Sequence, residues 1–355
     1  MAFLIDNARI PFDQYKELLQ WSEKFTEVES IVELLDFWYN PNADFLQVKT
    51  SGSTGLPKLI SHSKKAIKAS CLKTQNYFDL QMGQKALLCL PVRFVAGKLM
   101  VLRSVHSDLD LIVTNPSSRP LLDVDQHIDF APMTPHQFGI SLNQDKIKLN
   151  AIRKILLGGA PVPFHFNESI REMNNDIYLG YGMTETITHI AVKKLNGNHL
   201  SNAFKAIEGI TFAQSDNKCL IIHADHLNGL VVTRDVVNLK SIVEFEWQGR
   251  LDNVINSGGV KIYPEVLESK IQNFIKTRFF ISKLDDELLG DKTVLIIENQ
   301  MISKDLLKSN LKLKLNKIEI PKQIYFLDEF IQTPTGKIDR HKTLKLALIN
   351  NKTSY

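Results

Sequence analysis

Residues 49–58, KTSGSTGLPK, gather two glycines, Gly52 and Gly55, and four hydroxyls, Thr50, Ser51, Ser53 and Thr54. Lys58 closes the segment, which follows the apolar run FLQV. Glycines tolerate tight backbone dihedrals, and free N–H groups, hydroxyls and an ammonium together surround phosphate oxygens. The same residues also suit a plain surface loop. The spacing is not G-x-x-x-x-G-K-[ST], which disfavours a P-loop kinase or GTPase. YGMTET, residues 181–186, offers Tyr181 for base stacking, Thr184 for a phosphate and Glu185 as a Mg²⁺ ligand. Its bland reading is a strand–turn–helix junction capped by Thr184. GRLDNVINSGG carries Arg250, Asp252 and the pair Gly258-Gly259, and reads equally as a hairpin with a surface salt bridge. TPTGKIDR puts Lys337 after a Pro/Gly turn, where most lysines are simply exposed.

The elements that must position these groups follow from periodicity. Residues 11–37 and 63–78 have helical spacing, and further helices fall near 95–106, 134–142 and 163–173. Strand-like runs recur between them: FLQV, ALLCL, LDLIVT, KILLGG and DIYLGYG. Alternation of this kind predicts an α/β sheet with a large parallel component, whose ligands sit at the carboxyl ends of its strands. From about 204 short strands dominate, and after Asp252 a compact α+β unit follows. The predicted domains are therefore 1–251 and a smaller 252–355.

Net charge is only +4, from 43 basic and 39 acidic residues, and leaves no footprint of nucleic-acid binding. The Lys-rich stretch 304–317 reads as the solvated face of a helix rather than a recognition patch. Three cysteines, Cys71, Cys89 and Cys219, lie far apart without a CxxC, which argues against a disulfide framework or zinc site. No run has the length of a bilayer span, and the expected location is the cytoplasm.

Taken together, TSGSTGLPK, YGMTET, GRLDNVINSGGVKIYPEVLE and PTGKIDR, in this order, resemble the signature set of the adenylate-forming superfamily over about residues 45–342. The resemblance implies a large N-terminal domain, a mobile C-terminal one, and two chemical steps. Carboxylate and ATP give acyl-adenylate and pyrophosphate, and a thiol then takes the acyl group. It also implies roles. The loop from Thr50 to Lys58 would hold the β- and γ-phosphates. Gly159, Ala160 and Pro161, with Tyr181 and Gly182, would line the adenine site. Thr184 would meet the α-phosphate, Glu185 would bind Mg²⁺, and Asp235 the ribose. Arg234 stands where the family pattern has glycine, a departure beside Asp235. Arg250 would assist at ribose or phosphate, and Asp252 would be the hinge. Lys337 would bridge the attacking carboxylate and the α-phosphate, where an ammonium stabilises developing charge. Ser257, Gly258 and Gly259 would turn towards the CoA thiol.

LPVRFVAGKLMVLRS, ILLGGAPVP and YGMTETITHIAVKKLN further resemble o-succinylbenzoate–CoA ligases of menaquinone synthesis. Phe94 replaces a histidine found in many superfamily members. Lys98 and Arg103 are cations in an apolar helical stretch, either snorkelling or meeting a second substrate carboxylate. His189 either lines the acyl site or packs in the core. The phosphate loop begins at residue 50, earlier than in most of the superfamily, so the acyl pocket is expected to be more open or completed by a second subunit. The implied ligands are a small carboxylic acid, ATP, Mg²⁺ and CoA. Two other readings stay open: an aryl- or fatty-acid ligase or carrier-protein-loading enzyme, and a non-catalytic nucleotide-binding homologue. Lys337→Ala separates the last from the enzymes. An enzyme should lose adenylate formation in a pyrophosphate-release assay while ATP binding survives, and equal activity would remove Lys337 from the mechanism.

Overall fold

The computed structural model describes residues 1–49, 58–198, 200–275, 277–299, 303–333 and 338–352. Two compact units divide the chain. The first comprises 1–212, 222–231 and 240–245; the second comprises 213–221, 232–239 and 246–355. The division thus does not fall at one position in the chain.

In the first unit an N-terminal hairpin, β1 (Ala2–Ile5) and β2 (Ala8–Pro11), precedes helix α1 (Val28–Tyr39). The continuous helix expected over 11–37 is broken. Residues 12–21 form a 3₁₀ helix. The chain beyond is pinned sideways, with the Thr26 N–H donating to Asn115 Oδ1 (2.9 Å) and the Asn115 amide to the Lys24 carbonyl (2.8 Å). Strands β3 (Phe45–Lys49) and β4 (Leu59–Ser63) pair antiparallel, from Phe45 opposite Ser63 to Lys49 opposite Leu59. FLQV is therefore a strand, in a two-stranded ribbon of its own rather than in the main sheet. Helix α2 (Lys64–Tyr77) starts where the Ser63 side chain accepts from the Ala66 N–H, an N-cap.

The main sheet is built from β5 (Lys85–Leu88), β6 (Asp110–Val113), β7 (Ile128–Met133), β8 (Ile152–Leu157) and β9 (Asp176–Gly182). They run parallel in the order β9-β8-β7-β5-β6, and β1 adds parallel to β6. Helices α3 (Val95–His106), α4 (Pro135–Gln144), α5 (Lys146–Asn150) and α6 (Asn167–Glu172) provide crossovers. From β5 the chain goes to β6 on one side and to β7 on the other, so the switch point of the sheet lies there. Strand β7 escaped the sequence reading because Asp129 and Pro132 interrupt its apolar run. Asp129 accepts the Lys85 N–H, which ties β7 to β5 (2.9 Å). The core on this sheet gathers Leu87, Ile112, Phe130, Met133, Phe138 and Ile155. Beyond β9 come antiparallel β10 (His189–Lys194) and β11 (Phe204–Ala206).

Strands β12 (Ile210–Gln214), β13 (Cys219–Ala224), β14 (Val231–Ser241) and β15 (Glu244–Arg250) each contribute residues to both units. The second unit continues with β16 (Ile255–Ser257), β17 (Val260–Ile262), α7 (Pro264–Ile271), β18 (Phe279–Asp286), β19 (Gly290–Glu298), α8 (Lys304–Lys314), β20 (Gln323–Leu327) and α9 (Arg340–Lys352). Its sheet runs β17-β16-β19-β18, with β20 parallel to β19. Ile281, Leu295, Ile297, Leu307 and Leu311 form one of its cores.

Gly97 fixes how α3 enters the first unit. A Cβ there would lie 2.3 Å from the Pro91 carbonyl oxygen and 2.7 Å from that of Leu90. Alanine would gain about 1 kcal/mol of helix propensity. Overpacking against backbone that cannot rotate away costs about 1–3 kcal/mol. Gly97→Ala is therefore expected to lower stability by up to about 2 kcal/mol, read from the urea midpoint, with no change if α3 can shift freely.

Candidate active site

The carboxyl ends of β8 and β9 are neighbours, with Leu157 opposite Leu179. Gly159, Ala160 and Pro161 lie exposed just past β8, Gly159 at φ +82°. Tyr181 and Gly182 end β9. The Tyr181 ring packs against Phe245 at 5.0 Å and Phe204 at 5.7 Å. The expectation that these two motifs converge on one strand edge is met. A third motif, the loop of Thr50, Ser51, Gly52, Ser53, Thr54 and Gly55, lies outside the described residues. Its last member, Lys58, is exposed at the start of β4.

Past Gly182 the chain reverses. Thr184–Thr186 is one 3₁₀ turn, so Thr184 caps no helix and the next element is strand β10. Ile187 has φ 68° and ψ −53°, and the Thr188 N–H donates to the Thr186 carbonyl at 2.7 Å. This is the rare γ-turn of positive φ, strained for a β-branched residue. Such strain costs on the order of 1–3 kcal/mol and persists where its surroundings over-determine it. Here the Thr186 hydroxyl accepts from the Met183 N–H (3.0 Å) and donates to the Thr188 carbonyl (2.8 Å). Gly182 lets the strands close, since a Cβ there would lie 2.3 Å from the Thr188 carbonyl oxygen. Thr184 is half-buried and Glu185 exposed.

Behind this turn a polar chain crosses the unit. Arg103 on α3 is 3% exposed. Its Nη2 donates to Thr188 Oγ1 (3.3 Å), whose hydroxyl stands 3.1 Å from His189 Nδ1. His189 Nε2 faces Thr74 Oγ1 at 3.5 Å, and that hydroxyl donates to the Ser70 carbonyl (3.1 Å). The order of donors makes His189 neutral with its proton on Nε2. Burial, reinforced by the Arg103 charge, pushes the His189 pKa down to about 3. Arg103 itself is held below the usual guanidinium range by burial. Its Nε has no hydrogen bond and its Nη1 faces only the Met100 sulfur at 3.8 Å. Among the described residues no carboxylate pairs with it. Lys98 lies elsewhere on α3. Five residues turn a helix by about 140° from Arg103. Its charge is opposed by burial and supported by Glu33 and Glu27. The structure thus groups Arg103 with His189 and sets Lys98 apart from them.

The sequence reading missed His62. It lies four residues past Lys58 on β4, is 7% exposed, and its Nε2 donates to the Thr184 carbonyl at 2.7 Å. A histidine directly after a predicted glycine loop was the only signal available.

In the second unit Asp235 is buried, and its Oδ1 accepts from Trp247 Nε1 (3.3 Å) and Arg250 Nη1 (3.4 Å). The structure therefore brings Asp235 and Arg250 together. Arg234 points to Asp252, with Nε 2.9 Å from Oδ1 and 3.0 Å from Oδ2, and Arg250 Nη2 lies 3.6 Å from the same carboxylate. Those contacts hold the Asp252 pKa below the usual carboxylate range. Ser257, Gly258 and Gly259 form the tip of the β16–β17 hairpin, with Ser257 opposite Val260 and positive φ at both glycines, as a two-residue I′ turn requires. A cavity of about 250 Å³ opens beside it, lined by Asn256, Lys261 and Tyr263.

Lys337 lies outside the described residues, but its flanks do not. Gln332 and Ile338 form an antiparallel bridge, and the Asp339 N–H donates to the Ile331 carbonyl (2.8 Å). Arg340 then binds Glu268 at 2.8 Å and lies 3.8 Å from Glu265, both on α7. Asn253, next to Asp252, donates to Glu265. Burial raises the Glu268 pKa, and Arg340 opposes that rise.

Adenylate-forming chemistry on a parallel α/β sheet is the class these features define. A family model described as AMP-binding enzyme matches residues 46–216. The chain is 35% identical, with TM-score 0.60 over 90% of its length and 93% of the other, to an acyl-CoA synthetase (AMP-forming)/AMP-acid ligase II-like protein from Dyadobacter fermentans. It belongs to the family of AMP-binding, adenylate-forming enzymes. Curated relatives include 2-succinylbenzoate–CoA ligases of Haemophilus influenzae (26% identity, 75% of this chain, 63% of that one) and Escherichia coli (27%, 72% and 59%). The chain thus spans about three fifths of their length. An o-succinylbenzoate coenzyme A synthetase from Bacillus subtilis, in complex with ATP and magnesium ion, shares the fold at TM-score 0.73 and 21% identity, over 84% of this chain and 69% of that one.

Replacing Arg340 leaves the largely buried Glu268 without its cation. Losing one partner of a fully buried pair costs about 3–5 kcal/mol. Arg340 keeps 30% exposure, so Arg340→Met should cost less, about 2–3 kcal/mol. A denaturation midpoint unchanged from wild type would show that Glu268 relaxes to solvent.

Proposed function

We propose that this protein is an ATP-dependent acid–CoA ligase acting on an acid with a second carboxylate, o-succinylbenzoate being the best candidate, as in menaquinone synthesis. One observation carries the substrate reading. Arg103 is a buried guanidinium with unused donors and no protein carboxylate among the described residues. A buried charge is costly unless paired. A substrate carboxylate supplies the missing partner in the bidentate geometry that arginine favours. The names of the relatives point the same way.

In this reading an oxygen of the reacting carboxylate attacks the α-phosphorus of ATP and pyrophosphate leaves. The CoA thiolate then attacks the acyl carbon and AMP leaves. The strained turn presents the Thr184 hydroxyl to the α-phosphate. Glu185 is the carboxylate placed for Mg²⁺. Bound there, Mg²⁺ would neutralise phosphate charge. Gly159, Ala160, Pro161, Tyr181 and Gly182 border adenine, Asp235 and Arg250 take the ribose, and Thr50 to Lys58 take the outer phosphates. Lys337 supplies the ammonium at the reacting oxygen, and Ser257, Gly258 and Gly259 face the thiol. Asp252 is the hinge residue.

Arg103→Met removes the charge at similar length and should leave the fold intact, because the unpaired cation is itself unfavourable. Hydrogen bonds to charged groups contribute about 1.5–3 kcal/mol. Turnover of o-succinylbenzoate, measured as pyrophosphate release with product mass, should fall about 10–100-fold, while any benzoate turnover is unchanged. Equal loss for both acids, or none for either, would overturn the assignment of Arg103.

A further inference from the structure

We infer that His62 is a positioning residue that couples the base of the phosphate loop to the turn carrying Thr184 and Glu185. The inference rests on the ligase reading of that turn. The donor is one strand away from Lys58, the acceptor 122 positions further along, and the bond is 2.7 Å and largely shielded from water. No backbone pairing between β4 and β9 does this work, since β4 pairs only with β3 in a separate ribbon.

The turn needs such support. Ile187 stores strain, and the Thr186 hydroxyl and Gly182 satisfy the turn only from within. From outside, His62 bonds it at Thr184. His226, whose side chain is 2% exposed, is also buried, but its Nε2 makes no hydrogen bond. Asp225 Oδ1 stands 3.4 Å from His226 Nδ1, while its Oδ2 accepts from Lys73 (2.9 Å), which also donates to the Glu208 carbonyl (2.8 Å). Gly209 leaves the room for this arrangement, because a Cβ there would lie 2.1 Å from Asp225 Oδ2. His226 thus has a buttress of its own. Among the described residues, His62 is the side chain that hydrogen-bonds the turn from the strand that leaves the phosphate loop. Burial holds the His62 pKa below the usual imidazole value, opposed by the Thr184 carbonyl and Glu185, so the ring is a neutral one-proton donor.

The function of this bond is alignment. The groups that grip the outer phosphates and those at the α-phosphate must hold one spacing, and misplacement by about 1 Å costs on the order of 100-fold in rate. His62→Leu should therefore lower kcat/KM for ATP in the adenylation half-reaction about 10–100-fold, with KM for the acid within about twofold. His62→Gln keeps an N–H donor at similar reach and should stay within about threefold of wild type. Amide hydrogen exchange of residues 183–190 is the readout independent of activity. It should accelerate in His62→Leu and not in His62→Gln. Unchanged kinetics and exchange in His62→Leu, or equal losses in both variants, overturn the inference. If wild type makes no adenylate, the ligase reading falls and the exchange comparison still decides the brace. If His62→Leu does not fold, His62→Gln decides alone: lost protection at 183–190 overturns the proposal, and retained protection supports it.

Discussion

Parallel strands cannot be joined by a tight turn, and the rest of this structure depends on that constraint. Each step from β7 to β8 to β9 needs a crossover, so every strand of this run ends at the same edge. Whatever follows each strand is delivered to one line. GGAP follows β8, and YGMTET spans the end of β9 and the turn beyond it. Antiparallel β10 then folds back on β9, with His189 opposite Gly182, and the reversal forces the strained turn at Ile187. The geometry of the site is a consequence of topology before it is a matter of side chains.

Charge is handled in two opposite ways. Arg340 sits against Glu268 and Glu265, and Glu265 is tied in turn to Asn253 beside Asp252. Arg103 is more deeply buried, and among the described residues it meets a hydroxyl, a thioether and the Phe130 ring rather than a carboxylate. A protein tolerates the second arrangement when something else completes it, and the neutral His189 keeps a second cation out of the same space. Arg234, which departs from the family pattern, is taken up by a bidentate contact with Asp252 and leaves Asp235 to Trp247 and Arg250.

Local pattern was most informative where burial and periodicity agree. Helix α3 spans the expected 95–106, and β9 matches the run DIYLGYG residue for residue. It was least informative where tertiary contacts overrule it. The helix expected over 11–37 breaks where Asn115 captures the chain. Strand β7 hides behind Asp129 and Pro132, and β10 was not read as a strand because its neighbour looked like a helix cap. Lys98 and Arg103 looked equivalent until the helix turned them apart, leaving one half-buried and the other in the interior.

The sequence by itself determined the class of fold, the order of the motifs and the residue types that suit phosphate, carboxylate and metal. These are local properties, set by spacing along one strand, turn or helix. Only the tertiary structure decided that His62 meets Thr184, that Arg103 pairs with no carboxylate among the described residues, and that Arg234 is taken up by Asp252. Each of these depends on which distant segments are packed together and on what burial does to a charge. Spacing along the chain carries no such information.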